Sequence, residues 1–169
     1  MTNPKDHVLS WLKDAHAAEE QAITMLSSLA RRIENYPELK ARIEQHVEET
    51  ERQAKRVQEC LRRLGSDTST VKDAGTKLVG LGQGLSGMFT SDEVVKGVLA
   101  SYTFEQMEIA SYKILIAAAR QMGDTETARV CEDILQEELS MAKWLEDNLE
   151  GLTEKFLELE SKEGRTAKH

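Results

Sequence analysis

Apolar residues recur every three or four positions through four long segments of this chain, a spacing typical of amphipathic helices. The first predicted helix, α1, begins at Asn3-Pro4, where a capping residue precedes proline at the first helical position, and continues to about residue 34. The second, α2, follows the break at Asn35-Tyr36-Pro37 and ends at Gly65. Because the break is so short, α1 and α2 should pack as an antiparallel hairpin.

The second half of the chain predicts another hairpin. Helix α3 begins after Thr90 and ends at Gly123-Asp124, and α4 continues from there through Phe156. A polar tail over about residues 161–169 is expected to fray. The apolar residues expected to face the core are Val8, Leu12, Ala15, Ile23, Leu26, Ala30, Leu39, Ile43, Val47, Ala54, Val57, Leu61, Leu64, Val95, Val98, Tyr102, Ile109, Tyr112, Ile116, Ala119, Cys131, Ile134, Met141, Leu145, Leu149, Leu152 and Phe156.

A connector over about residues 65–90 separates the two hairpins. It is rich in glycine, serine and threonine, with a short helix predicted around Val71 to Leu81. About 26 residues can cross the full length of a bundle, whereas a two-residue turn cannot. The sequence therefore predicts an all-α fold, a ferritin-like four-helix bundle with a long crossover connection between α2 and α3, in a single domain over residues 1–169.

Composition and charge exclude several classes of protein. The chain has 169 residues, only two prolines and 5% aromatic residues, which suits a helical domain. Its net charge of -8 argues against a nucleic-acid surface, which requires a basic stripe. The apolar stretches fall far short of about 18 residues, and the N-terminal segment lacks a signal-peptide core. We therefore expect a soluble, cytoplasmic protein with neither nucleic-acid nor membrane partners.

The two cysteines indicate neither a zinc site nor a disulfide framework. Cys60 and Cys131 are isolated on predicted helices, and neither has a nearby partner in a Cys-x-x-Cys spacing. We expect both to be buried or half-buried free thiols.

Four glutamates occupy or border positions where packing residues are expected, one on each helix. Glu19, Glu105 and Glu138 lie within apolar stripes, and Glu49 lies at the edge of its stripe. Each lies near the middle of its helix, so antiparallel packing can bring all four to one level. Buried carboxylates are costly unless they are paired, protonated or bound to a cation. A bound metal is the simplest way to make this arrangement tolerable.

Two histidines strengthen the prediction of a metal site. His16 precedes Glu19 by three residues, and His46 has the same spacing to Glu49, so each pair lies on one helix face. Glutamates combined with glutamate-histidine pairs form the di-iron and di-manganese sites of helical bundles, although the order of the pair is reversed here. Carboxylate-rich sites with one or two imidazoles suit iron or manganese.

A structural explanation competes with the metal site. Charged residues make up 31% of the chain, and a single glutamate beside a helical stripe is more often a solvated flank or an intrahelical partner. Joint placement on four helices weakens that explanation for the set. Tyr102 and Tyr112 on α3 either donate hydrogen bonds to the site, relay electrons or serve only as packing residues.

Four segments resemble the bacterial YciE/YciF family of ferritin-like proteins, and the resemblance covers about residues 5–150. The motifs are the runs Ala18-Glu19-Glu20-Gln21, His46-Val-Glu-Glu-Thr50 with Gln53, Phe104-Glu-Gln-Met-Glu-Ile-Ala-Ser-Tyr112 and Gln136-Glu-Glu138. The resemblance implies a bundle that is often dimeric, with a di-metal centre and an association with bacterial stress responses. The metal ligands that it implies are Glu19, His46, Glu49, Glu105, Glu108 and Glu138.

The chain also departs from the family pattern. Family members commonly have histidine in place of Gln106 and an acidic residue near Ala142 and Lys143. These replacements leave two ions, one ion or a metal-free site open. The role of His16 depends on its spacing alone.

Two functions therefore follow from the sequence. The first is a metal-binding protein whose iron or manganese site handles oxygen, peroxide or the metal itself during stress. The second is a metal-free helical bundle that acts as an interaction or scaffold protein, for which Gly80-x-Gly-x-Gly84 could allow close helix approach at a dimer contact. Elemental analysis distinguishes them, because only the first function requires a bound ion.

Overall fold

The computed structural model describes residues 3–66 and 92–162, which form four α-helices and no strand. The helices are α1 (Pro4–Arg32), α2 (Pro37–Arg63), α3 (Glu93–Gln121) and α4 (Thr125–Glu160). The all-α prediction is confirmed. The predicted connector helix, the Gly80-x-Gly-x-Gly84 stretch and the tail beyond residue 162 lie outside the described residues.

The helix ends follow the local signals in the sequence. The Asn3 side chain accepts a hydrogen bond from the backbone N–H of Lys5 and caps α1. Beyond α2 and α3 the chain turns at Gly65 (φ +82°) and Gly123 (φ +72°), in a left-handed conformation that glycine adopts without steric cost. The Asp124 side chain then caps α4. These signals produce the two predicted hairpins.

Contacts at opposite ends of the bundle establish its topology. Arg63 is the last residue of α2, and its Nη2 lies 2.7 Å from Oδ1 of Asp124 in the turn between α3 and α4. Arg32, the last residue of α1, pairs instead with Glu93, the first residue of α3. Helix α2 therefore ends at the opposite end of the bundle from the start of α3. The described chain thus leaves α2 at one end of the bundle and re-enters at the other, and the predicted ferritin-like crossover is confirmed.

Two apolar clusters fill the bundle, one toward each end. Packing is most extensive within each hairpin, and contacts of α1 with α3 and of α2 with α4 join the hairpins. Leu26, Ile43 and Leu145 belong to the cluster nearest the α1–α2 turn. Leu12 and Ile134 belong to the cluster nearest the α3–α4 turn. Between the clusters, near the middle of the helices, lie most of the buried polar residues, among them Glu19, His46, Glu105, Glu108 and Glu138.

One predicted core position on α1 is wrong. Ile23 is only partly buried, and Ala22 faces the core in its place. Helical spacing from Glu19 through Ala22 to Leu26 explains the shift, because steps of three and four residues keep these side chains on one face.

The cysteine prediction is confirmed. Cys60 and Cys131 are buried free thiols in the cluster nearest the α3–α4 turn. Burial raises the pKa of Cys131 to about 12. This thiol is therefore held in its protonated form and serves as a small packing residue.

No helix among the described residues is both long and apolar enough to cross a lipid bilayer.

Two helical glycines offer a matched test of packing. A Cβ placed on Gly97 of α3 would lie 2.8 Å from Leu29 Cδ1, whereas a Cβ on Gly151 of α4 would meet nothing within 4 Å. We expect Gly151→Ala to stabilise the protein by about 1 kcal/mol through helix propensity. Gly97→Ala should increase the free energy of unfolding by less, because the Leu29 side chain must shift to make room for the new Cβ. Urea unfolding of both variants measures the difference, and an equal gain would contradict the packing argument.

Candidate metal centre

Three buried side chains from three helices form the centre of the site. His46 of α2, Glu105 of α3 and Glu138 of α4 each offer one ligand atom, and these atoms lie within 4.8 Å of one another. His46 Nε2 lies 3.2 Å from Glu105 Oε2 and 3.5 Å from Glu138 Oε2. All three residues are fully buried. Because they lie near the midpoints of their helices, antiparallel packing brings them to one level.

A second group of carboxyl side chains borders this triad. Glu19 of α1 and Glu108 of α3 are both buried, and the Tyr112 hydroxyl donates a hydrogen bond to Glu19 Oε1. Burial, followed by the charge of Glu138, raises the pKa of Glu19 well above its usual value. Burial and the charge of Glu19 do the same to the pKa of Glu108. Tyr112 therefore contacts the site directly, which supports the hydrogen-bonding interpretation of this residue.

Strong electrostatic coupling links the members of the triad. Burial raises the pKa of Glu105 to about 8, despite the opposing effect of His46. Burial favours the neutral form of His46, but contacts with Glu105, Glu138 and Glu49 raise its pKa to about 12. Burial also opposes ionisation of Glu138, yet His46 and Glu105 lower the pKa of that carboxyl group. Without a metal, the site thus holds protons where a cation would otherwise balance the charge.

Several oxygen atoms in the site lack a hydrogen-bonding partner. Within the described residues, neither oxygen of Glu105 or Glu138 makes a hydrogen bond of acceptable geometry, and the same holds for Glu19 Oε2 and Glu108 Oε1. Buried polar atoms are nearly always satisfied, so such a concentration requires an explanation. Carboxylate oxygens combined with one imidazole nitrogen form a donor set that suits iron or manganese. The residues present therefore fit a metal.

Glu49 occupies a different place from the other predicted ligands. Its Oε2 lies 2.8 Å from Nδ1 of His46, the ring nitrogen opposite the one that faces the triad. Arg42 also donates to Oε2, at 3.2 Å, and Gln45 donates to Oε1, at 2.9 Å. Burial opposes ionisation, but His46 and Arg42 lower the pKa of Glu49 to about 2. The side chain is 13% exposed.

His16 is buried but does not belong to the triad among the described residues. Burial lowers its pKa, so His16 is held neutral. Although His16 and Glu19 are three residues apart, His16 is thus not part of the cluster of candidate metal ligands in the described residues.

Three further residues, for which the sequence predicts no role, contact glutamates in and around the site: Gln53, Arg42 and Gln45. Gln53 of α2 is fully buried and donates from Nε2 to Glu137 Oε2 of α4, at 2.8 Å. Arg42 and Gln45 contact Glu49 along one face of α2. The signal for the latter two was their spacing of seven and four residues to Glu49, which places all three on the same helical face.

Comparisons with known proteins agree with this fold. Residues 3–158 match the family described as a domain of unknown function, DUF892. Protein YciF of Escherichia coli is 28% identical over 149 residues, which cover 82% of this chain and 85% of YciF. The family match covers nearly all of the described residues.

Solved structures give the same result. A Xanthomonas campestris protein is 46% identical, with a TM-score of 0.80 over 95% of this chain and 100% of that one. The E. coli stress protein YciF has a TM-score of 0.78 at 24% identity over 92% of this chain and 99% of YciF. Ferritin-like, diiron-carboxylate proteins from Bacillus anthracis have a TM-score of 0.72 at 19% identity, over 88% of this chain and 99% of theirs. The similarities to YciF and to the B. anthracis proteins, at 24% and 19% identity, show only that the fold is shared.

Proposed function

We propose, from the premise that this chain belongs to the DUF892 family of YciE/YciF proteins, that it binds iron or manganese between its four helices. The single observation that supports this most strongly is the buried triad of His46, Glu105 and Glu138, whose carboxylate oxygens lack hydrogen-bonding partners among the described residues. A cation would satisfy these oxygens and replace the protons that the site otherwise retains.

Each side chain has a distinct part in this proposal. His46 Nε2, Glu105 and Glu138 hold a first ion, and Glu19 with Glu108 supplies oxygens for a second. The charge of Glu138 raises the pKa of both Glu19 and Glu108, so the first ion's ligands interact electrostatically with those of the second. Tyr112 holds Glu19 in place through its hydroxyl and keeps a proton available at Oε1. A redox-active ion bound here would supply electrons for the reduction of oxygen or peroxide.

A physiological role follows from the relatives. YciF is named as a stress protein of E. coli, and a ferritin-like site that handles oxygen, peroxide or free metal suits conditions of stress. We therefore propose a role in a bacterial stress response, carried out by a cytoplasmic homodimer. Bulk mineral storage is not proposed, because a storage cage needs a specialised oligomerising surface and the sequence gives no indication of one.

Metal analysis of native protein tests the proposal. Protein purified without a histidine tag should carry about one or two iron or manganese ions per chain, as in the related bundle sites. Anomalous scattering at the iron and manganese edges should locate them at His46 and Glu138. A His46→Ala, Glu138→Ala variant should lose the metal, whereas Glu51→Ala, on an exposed position of α2, should retain it. Native protein that remains metal-free after incubation with either ion would contradict the proposal.

A metal-free interaction protein is the second candidate, and one surface favours it. Leu99 and Ile114 of α3 are large apolar side chains that are 62% and 53% exposed. Beside Leu99, an apolar groove of about 260 Å³ is lined by residues of α3 and α4, including Val95 and Leu152. If the protein folds without metal and associates with a partner through this surface, the second candidate is supported over the first.

A further inference from the structure

We propose that Glu49, held by Arg42, is a positioning residue that orients His46 toward the metal and is not itself a ligand. This inference rests on the proposed metal-binding function. It departs from the ligand set expected from the sequence, in which Glu49 contacts the ion directly. The geometry of α2 supports the new assignment.

Both carboxylate oxygens of Glu49 already have partners on its own helix. Oε2 accepts from His46 Nδ1 at 2.8 Å and from Arg42 Nη1 at 3.2 Å, and Oε1 accepts from Gln45 Nε2 at 2.9 Å. The four residues are separated by three, four and seven positions, so they form one face of α2. Direct ligation would require Glu49 to give up these contacts. In contrast, the oxygens of Glu105 and Glu138 lack hydrogen-bonding partners in the described chain.

The contact with Glu49 determines which nitrogen of His46 can bind a metal. An ionised carboxylate only accepts hydrogen bonds, so Nδ1 must carry the hydrogen at this contact. In the neutral ring, the lone pair then lies on Nε2, which faces Glu105 at 3.2 Å and Glu138 at 3.5 Å. A metal-binding histidine commonly donates its other N–H to a carboxylate, which fixes the ring and its tautomer.

The position of Glu49 relative to the ring supports the same assignment. Nδ1 and Nε2 lie on different edges of the imidazole, so the His46 ring stands between the Glu49 carboxylate and the carboxyl groups of Glu105 and Glu138. Glu49 is 13% exposed, whereas His46 is fully buried. The Arg42 side chain is 10% exposed and contacts the same Glu49 oxygen as His46, so it restrains the carboxylate. The contacts thus run from Arg42 through Glu49 to His46.

Paired measurements on Glu49 variants test this role. Mn²⁺ affinity is measured by calorimetry, and the donors around the ion are counted by X-ray absorption. Glu49→Ala should weaken Mn²⁺ binding by about 10–100-fold, the range for residues that orient a ligand, without changing the donor count. Glu49→Gln, whose amide oxygen can still accept from Nδ1, should recover part of the affinity. Glu48→Ala, at the exposed neighbouring position, is the matched control and should bind as wild type does.

A spectroscopic readout separates positioning from a general structural effect. In Zn²⁺-loaded wild type, nitrogen NMR should show His46 bound through Nε2 with its hydrogen on Nδ1. Glu49→Ala should shift or broaden these resonances, and Arg42→Gln should do so to a smaller extent.

Three outcomes would overturn the inference. Loss of an oxygen donor from the ion in Glu49→Ala would make Glu49 a ligand. Unchanged affinity and unchanged His46 resonances in Glu49→Ala would leave it without a role at the site, although metal binding itself would stand. Failure of wild type to bind Mn²⁺ or Zn²⁺ would overturn the proposed function together with this inference. Circular dichroism of each variant confirms that the helices remain folded.

Discussion

Raising the pH from 5 to 8 should destabilise the metal-free protein by about 4 kcal/mol through Glu105 alone. The pKa of Glu105 is about 8 in the folded protein, against 4.5 for an ordinary glutamate, mainly because of burial. Between these values the folded protein keeps a proton that the unfolded chain has lost. Its stabilising effect is complete below pH 4.5 and disappears as the pH rises through 8. Urea unfolding in the presence of EDTA at pH 5, 6, 7 and 8 measures this change.

His46 acts in the same direction. Its pKa rises from 6.5 to about 12 in the folded protein, because three glutamate contacts outweigh burial. The stability that this proton contributes is complete below pH 6.5 and is lost as the pH rises toward 12. Glu49 has the opposite sign, but its pKa of about 2 confines its effect to acidic solution, below pH 4.5. The groups with raised pKa values, which include Glu19 and Glu108 besides Glu105 and His46, should therefore dominate near neutral pH.

A single substitution provides the control for the pH experiment. Glu105→Gln cannot ionise, so its stability should vary less steeply with pH than that of wild type. Saturating Mn²⁺ should also flatten the curve of wild type, because the ion takes the place of the proton. A metal-free wild type whose stability is constant or rises from pH 5 to 8 would contradict the electrostatic description of the site.

Replacing Glu108 by methionine should stabilise the metal-free protein at pH 8 by about 3 kcal/mol while removing a donor to one ion. Glu108 is buried, its Oε1 lacks a hydrogen-bonding partner among the described residues, and burial with the charge of Glu19 raises its pKa. Methionine has a similar length and no charge, so it fills the same space without that cost. Urea unfolding in EDTA and titration with Mn²⁺ measure the two effects.

Opposite changes in stability and metal binding make this variant informative. Glu51→Met, at an exposed position on α2, should change neither quantity appreciably. If Glu108 were instead a structural residue satisfied by unseen partners, Glu108→Met would destabilise the protein in EDTA. Such a loss would show that Glu108 was selected for folding and not for a ligand.

The helices could be predicted well because their signals are local. Pro4, Pro37, Gly65 and Gly123 each act on the backbone of one or two residues, and the structure places helix ends beside all four. The crossover followed from the length of the connector. The register of the core was less certain: Ile23 and Ala22 are adjacent, and the choice between them depends on how α1 rotates against its neighbours.

The candidate site could be predicted in part. Glu19, Glu105 and Glu138 interrupt apolar stripes, so their burial was readable from the spacing of each helix alone. The different roles of His46 and Glu49 could not be read from the sequence, since both residues lie on the same face of α2. The rotation of that helix in the bundle directs His46 inward and leaves Glu49 nearer the surface, and three-residue spacing cannot encode this rotation.

The origin of the triad has a mechanical consequence. His46 belongs to the first hairpin and Glu105 and Glu138 to the second, and the interface between hairpins is less extensive than the packing inside each one. An ion bound at this point would cross-link the two halves of the molecule at mid-height, where the apolar clusters are interrupted. The carboxylates would then resist separation of the hairpins when occupied and favour it when empty and ionised. Metal supply in the cell could in this way set the lifetime of the folded protein, independently of any reaction at the ion.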